Sequence, residues 1–196
     1  MIQSDISVFK FWREPVLVRV DRCAWIFWAL LILVLPLNWI LAAFSSAVIH
    51  ELFHILAILL LGGKVHCITA GPFGAIIETK ELDGIRKSVC ALAGPLGSFL
   101  AALWIHKMPI LGLCALIQGV YNCLPVYPLD GGLALYYAFE KFFPLHARQI
   151  SKLVELFVFF LFFGIAIYVT LRYACGFWPI LCTVVVIAHA LLRKRP

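Results

Sequence analysis

The sequence is short of charge. Only 13% of its 196 residues are Asp, Glu, Lys or Arg, while 64% are hydrophobic. A water-soluble domain carries about 25% charged and 45–50% apolar residues, so this chain cannot cover a soluble surface. That excludes a cytosolic enzyme and a disordered module. Paired cysteines are missing too: the seven thiols, at 23, 67, 90, 114, 123, 175 and 182, contain no CxxC and are odd in number. Neither a disulfide framework nor a cysteine metal site is expected, and inside an apolar span a thiol packs as a small hydrophobe. Internal repeats and low-complexity tracts are also absent from the sequence. No cleavable signal peptide is expected, because the first 23 residues are charged and interrupted and the apolar run from Ala24 is long enough to span.

What the sequence does have is a series of long apolar runs. They are read at 24–38, 40–61, 88–106, 110–128, 151–171 and 177–192, with little more than Pro36 to Trp39 between the first two. Six spans of roughly 20 residues would use about 120 and leave only short loops. The expected fold class is an all-α polytopic membrane protein with about six transmembrane helices. With the N-terminus inside, 14 of the 16 Lys and Arg fall on the cytoplasmic side, and only Lys107 and Arg172 fall outside. The positive-inside rule then predicts a multi-pass cell-membrane protein with both termini cytoplasmic. The +6 net charge is thereby a topology signal and an anionic-lipid contact, and no nucleic-acid partner is expected.

Two stretches outside the spans carry local patterns. Residues 6–20, ISVFKFWREPVLVRV, read either as an interfacial segment with Phe11 and Trp12 in the headgroups or as a tail. The longest loop, 62–84, is rich in Val, Ile and Thr and is broken by Gly71-Pro72 and Gly74. It reads as a β-hairpin over about 65–79. Such a hairpin is either a plain connection or an edge able to pair with an extended substrate. In the third span Ala93, Gly97 and Ala101 recur every four residues, a small-residue stripe that lets a neighbouring helix pack closely.

The chemistry lies in the second span, which contains His50-Glu51-Leu52-Phe53-His54. Residues four apart stack on one helix face, so both imidazoles can grip one ion, and Glu51, about 100° around the helix, can reach water at that ion. A carboxylate in the middle of an apolar span costs on the order of 2.5–3.5 kcal/mol on insertion scales, and packing gives nothing back. A buried metal site is the reading that explains the cost. Zinc requires a third protein ligand and an open fourth position. Asp130, in the helix-breaking segment YNCLPVYPLDGG (121–132), is the candidate; taken alone, it also suits an Asp-Gly turn at the membrane surface.

HELFH in an early span, AGPLGS in the next and NCLPVYPLDGG after it together resemble the site-2 protease family of intramembrane zinc metalloproteases. The likeness covers about residues 24–150. The short six-span form most resembles the sporulation branch, whose enzymes release a sigma factor from a membrane-bound precursor. The resemblance implies one Zn2+ per chain held by His50, His54 and Asp130, with Glu51 as general base. Asn122 matches the family's Asn, which positions substrate or stabilises the oxyanion; without the family it reads as an interhelical hydrogen-bonder. The implied organisation is a cytoplasmic or interfacial segment 1–23, a catalytic transmembrane core 24–150, and two further helices with a basic tail at 151–196. The implied partners are a membrane-tethered protein substrate (a pro-sigma factor among them), a membrane regulatory or inhibitory protein, and the lipid bilayer. Neither the CBS domain usual in the sporulation branch nor the PDZ insertion of other branches is expected in this sequence. The competing readings are a catalytically silent membrane scaffold and a small metal transporter. The complete set His50, Glu51, His54 and Asp130 argues against the first, and the scarcity of charge in the last two spans against the second. His66, His106 and His146 read as interfacial, His189 as a helix-pairing residue, and most of the Trp side chains as anchors at span ends.

Overall fold

A computed structural model of the chain describes residues 6–11, 14–71, 74–173, 176–178, 180–181 and 183–184. The chain divides into two units, Met1–Tyr121 and Asn122–Pro196.

The first unit combines a sheet with the helices that flank it. Strands β1 (Ile6–Phe11) and β2 (Glu14–Val20) pair antiparallel, as do β3 (Lys64–Gly71) and β4 (Gly74–Lys80). Strand β2 runs parallel to β3, giving the order β1-β2-β3-β4. Parallel neighbours need a crossover of a dozen residues or more, and helices α1 (Arg22–Val34) and α2 (Leu37–Leu60) supply it. The expected hairpin is present as β3 and β4, but it is half of a larger sheet. The 6–20 segment supplies the other half, apart from Trp12 and Arg13, which lie outside the described residues. The physical reason is the second edge of β3, whose backbone groups need partners. Strand β2 provides them, and just beyond it the Asp21 N–H donates to the Ala70 carbonyl at 2.9 Å.

Proline and glycine punctuate the helices. Helix α1 stops at Val34, just short of Pro36, because the residue before a proline is driven out of the α region. Helix α2 starts directly after Pro36. It ends in a Schellman turn: Gly62, at φ +80°, donates to Leu59, and Gly63 donates to Ile58 at 2.8 Å. A side chain at Gly62 would be strained in that left-handed conformation. Helix α3 (Gly84–Ala102) is capped by Asp83, whose carboxylate accepts the Arg86 N–H at 3.0 Å. It tightens into a 3₁₀ turn over Leu103–His106 before α4 (Pro109–Asn122). The principal helix contact of this unit is α2 on α3. Helix α4 adds a polar link, with Ser46 Oγ donating to Gln118 Oε1 at 2.6 Å.

The second unit contains α5 (Asp130–Phe142) and α6 (Ala147–Tyr173), preceded by the 123–129 loop. Val126 of that loop packs with Val158 and Phe159 of α6. Helix α5 has no counterpart among the expected spans. The expected fourth span ran on to 128, whereas α4 ends at Asn122; Pro125 and Pro128 cannot continue a helix.

Helix α2, the α3 stretch through His106, and α6 are long and apolar enough to cross a membrane, at 24, 23 and 27 residues. Helix α1, from Ala24, and α4 are shorter apolar helices. Most of the expected span at 177–192, and His189 within it, lies outside the described residues.

Candidate metal centre

The buried face of α2 is Ile40, Ser46, His50, His54 and Ile58, largely a one-turn repeat. His50 is 3% exposed and His54 9%. Their Nε2 atoms approach to 3.2 Å, with the rings edge-on at 81°. Helix α3 determines why those two atoms face each other. The His54 Nδ1–H donates to the Cys90 carbonyl at 2.8 Å. A carbonyl can only accept, so Nδ1 carries the proton and Nε2 of the neutral ring keeps a lone pair. His50 Nδ1 is hydrogen-bonded at 2.8 Å to Ser98 Oγ, whose residue is fully buried, so His50 likewise turns Nε2 toward His54.

The Ser98 hydroxyl can donate to or accept from His50 Nδ1; where it accepts, both Nε2 atoms present lone pairs to one another, which repel unless a cation lies between them. A tetrahedral ion with bonds of 2.0–2.1 Å separates its ligand atoms by about 3.3–3.4 Å, so the pair at 3.2 Å fits such an ion. Both Nδ1 atoms are hydrogen-bonded, the kind of outer contact that holds imidazoles in place at metal sites.

Glu51 is half-buried, and its Oε1 accepts the Ala75 N–H at 3.0 Å. The start of β4 therefore runs beside the carboxylate, and a Cβ on Gly74 would sit 3.4 Å from Oε1. His50, Glu51 and His54 are thus brought together in the first unit. Asn122, the last residue of α4, and Asp130, the first of α5, belong to the second unit, and both are half-buried.

Sequence reasoning missed four parts of this site: Ser98, the Cys90 carbonyl, the Ala75 amide and Gly94. The AGPLGS run is the available signal, though by sequence it presents a stripe of Ala93, Gly97 and Ala101. Ala93 and Ala101 are only half-buried; the buried face of α3 includes Cys90, Gly94, Gly97 and Ser98. A Cβ on Gly94 would overlap His54 Nε2 and lie 2.7 Å from His50 Nε2, and one on Gly97 would overlap Phe53. Close helix packing is the right physics, on a face one residue further round.

Known relatives and solved structures resemble this chain. A zinc metalloprotease of Methanocaldococcus jannaschii is 30% identical over 124 aligned residues, covering 56% of this chain and 34% of that protein. Stage IV sporulation protein FB of Bacillus subtilis (strain 168) is 27% identical over 169 residues, covering 78% of this chain and 58% of that protein. The chain thus spans about a third and somewhat over half of these relatives' lengths. No protein-family model matches the chain. The structure of the site-2 protease from Methanocaldococcus jannaschii shares the fold, with a TM-score of 0.64 at 22% identity over 99% of this chain and 96% of that one. With a helical fold bearing apolar membrane-length helices, a small sheet, and HELFH on α2, this membrane protein shares the fold of that site-2 protease and is similar in sequence to the two relatives.

Proposed function

We propose that this protein is an intramembrane zinc metalloprotease that hydrolyses a peptide bond of a membrane-tethered protein within or near the bilayer. The observation that carries the reading is the His50–His54 pair, with its Nε2 atoms 3.2 Å apart and both Nδ1 atoms engaged. Asp130 is the third ligand of one zinc per chain, in keeping with its place at the head of α5 and with the family's motif order. When bound, zinc supplies a Lewis acid that activates water and polarises a carbonyl.

The chain's own residues do the rest. Glu51 takes the proton of the attacking water on its carboxylate, and the Ala75 amide, donating to Oε1, fixes the direction in which that carboxylate points. The Asn122 side-chain amide donates to the oxyanion that develops on the scissile carbonyl. A helical substrate hides its carbonyls in i to i−4 hydrogen bonds and must unwind first. The outer edge of β4, last in the strand order, suits an added extended segment.

His50 lies ten residues before the end of α2 at Leu60, about 15 Å along the helix, so water reaches the site through a cavity from the cytoplasmic side. The 14-to-2 distribution of Lys and Arg supports a multi-pass protein with about six spans and cytoplasmic termini. The substrate is a membrane-tethered protein, a pro-sigma factor among the candidates, and the regulator a membrane regulatory or inhibitory protein; what supports both is the resemblance to the sporulation branch, in keeping with the similarity to a sporulation protein.

The test compares new protein N-termini in cells expressing wild type and Glu51→Gln, both checked for expression and zinc content. Membrane-derived termini that appear only with wild type are expected, and they identify the substrate. Matching profiles from two well-expressed, zinc-loaded proteins would overturn the reading.

A further inference from the structure

Helix α6 carries a buried carboxylate that the chemistry above does not use. Glu155 is 5% exposed, and a carboxylate is buried tolerably only where hydrogen bonds replace its water. Its Oε1 accepts the N–H of Tyr127 at 3.2 Å. Tyr127 belongs to the 123–129 loop, in which Pro125 and Pro128 have no N–H to give. Within the loop, Val126 donates to the Leu124 carbonyl and Leu129 to the Val126 carbonyl, both at 2.8 Å. The Tyr127 amide instead reaches out to α6.

The same helix face makes the apolar half of the grip. Positions 155, 158 and 159 are neighbours on one side of α6, and Val158 and Phe159 pack on Val126, with Leu124 and Leu129 against the cluster. The loop then runs directly into Asp130, the first residue of α5. The turn is tight: a Cβ on Gly131 would overlap the Cys123 carbonyl oxygen, and one on Gly132 would overlap the Val126 carbonyl.

We infer that Glu155 is a positioning residue for the Asp130 loop, pinning the Tyr127 amide and so fixing where the Asp130 carboxylate is presented. This rests on Asp130 being a metal ligand. A well-formed helix cannot do this work for Asp130, because the residues before it are not helical.

The test uses the full chain in lipid nanodiscs, as wild type, Glu155→Gln, Glu155→Leu and Asp130→Ala. Amide hydrogen exchange of the peptide covering 123–129 is followed in the zinc-free protein, and zinc affinity is measured by chelator competition. Glu155→Leu removes the acceptor; it speeds loop exchange and weakens zinc roughly tenfold or more. Glu155→Gln keeps a carbonyl acceptor and stays near wild type in both readouts, and exchange in α6 peptides stays unchanged in both variants. Wild-type loop exchange in Glu155→Leu overturns the inference, as does a Glu155→Gln variant that fails in the same way as Glu155→Leu. Fast loop exchange with wild-type zinc affinity also overturns it, and Asp130→Ala then tells which premise fell. If Asp130→Ala has lost zinc, the anchor does not act on the ligand; if it has kept zinc, the ligand assignment itself is wrong.

Discussion

The His50–His54 stretch of α2 and the 122–132 stretch carry the proposed metal ligands on opposite kinds of backbone. On α2, His50 and His54 inherit their one-turn spacing from the helix itself, and α3 needs only to orient each ring through one hydrogen bond. Asp130 follows a loop with two prolines, where no period sets the distance and an outside anchor such as Glu155 must. A site residue on a regular helix needs orientation, whereas one beyond an irregular loop needs to be placed. The two stretches should therefore fail differently when their supports are removed.

The largest effect is expected where chemistry itself is removed. Glu51→Gln should lower cleavage by about 10²- to 10⁴-fold, the span of a general base's contribution, while zinc content stays at the wild-type level. Next is Gly94→Ala, whose added methyl would overlap His54 Nε2. Overpacking of this kind costs about 1–3 kcal/mol, and because it falls on the proposed ligand atoms it should weaken zinc binding by more than the fall in melting temperature alone implies. Chelator competition alongside thermal unfolding reads both. Ser98→Ala removes the hydrogen bond to His50 Nδ1, and loss of such a partner typically costs about 10- to 100-fold in metal affinity. Ser98→Thr, which keeps the hydroxyl, should recover part of that loss.

The smallest effect is expected at the exposed Lys64–Glu81 pair, 3.4 Å apart between the start of β3 and the residue after β4. Surface pairs contribute about 0–1 kcal/mol, so Lys64→Ala should leave zinc affinity and cleavage unchanged. A large effect there would mean that the sheet carries more of the site than the Ala75–Glu51 contact.

What the sequence made legible follows the same division. HELFH is readable because its geometry is local: two histidines four apart on one helix form a grip before any tertiary contact is known. The β3–β4 hairpin is readable for the same reason, from β-rich residues around a Gly-Pro turn. Ser98 and Cys90 are not readable as partners, because they lie 48 and 36 residues from the histidines that they orient. The role of residues 6–20 was hidden by distance as well. Strand β2 pairs parallel with β3 across two helices, and its Val- and Leu-rich run suits a membrane surface equally well. Helix α5 was obscured by its own start, where Gly131 and Gly132 look like a turn.

The most direct measurement is the zinc content of the purified full chain for wild type, His54→Ala and Glu51→Gln. The account predicts one zinc per chain in wild type and in Glu51→Gln, and little or none in His54→Ala. Zinc retained at the wild-type level in a folded His54→Ala protein, or absent from folded wild type after purification with zinc supplied, would contradict it.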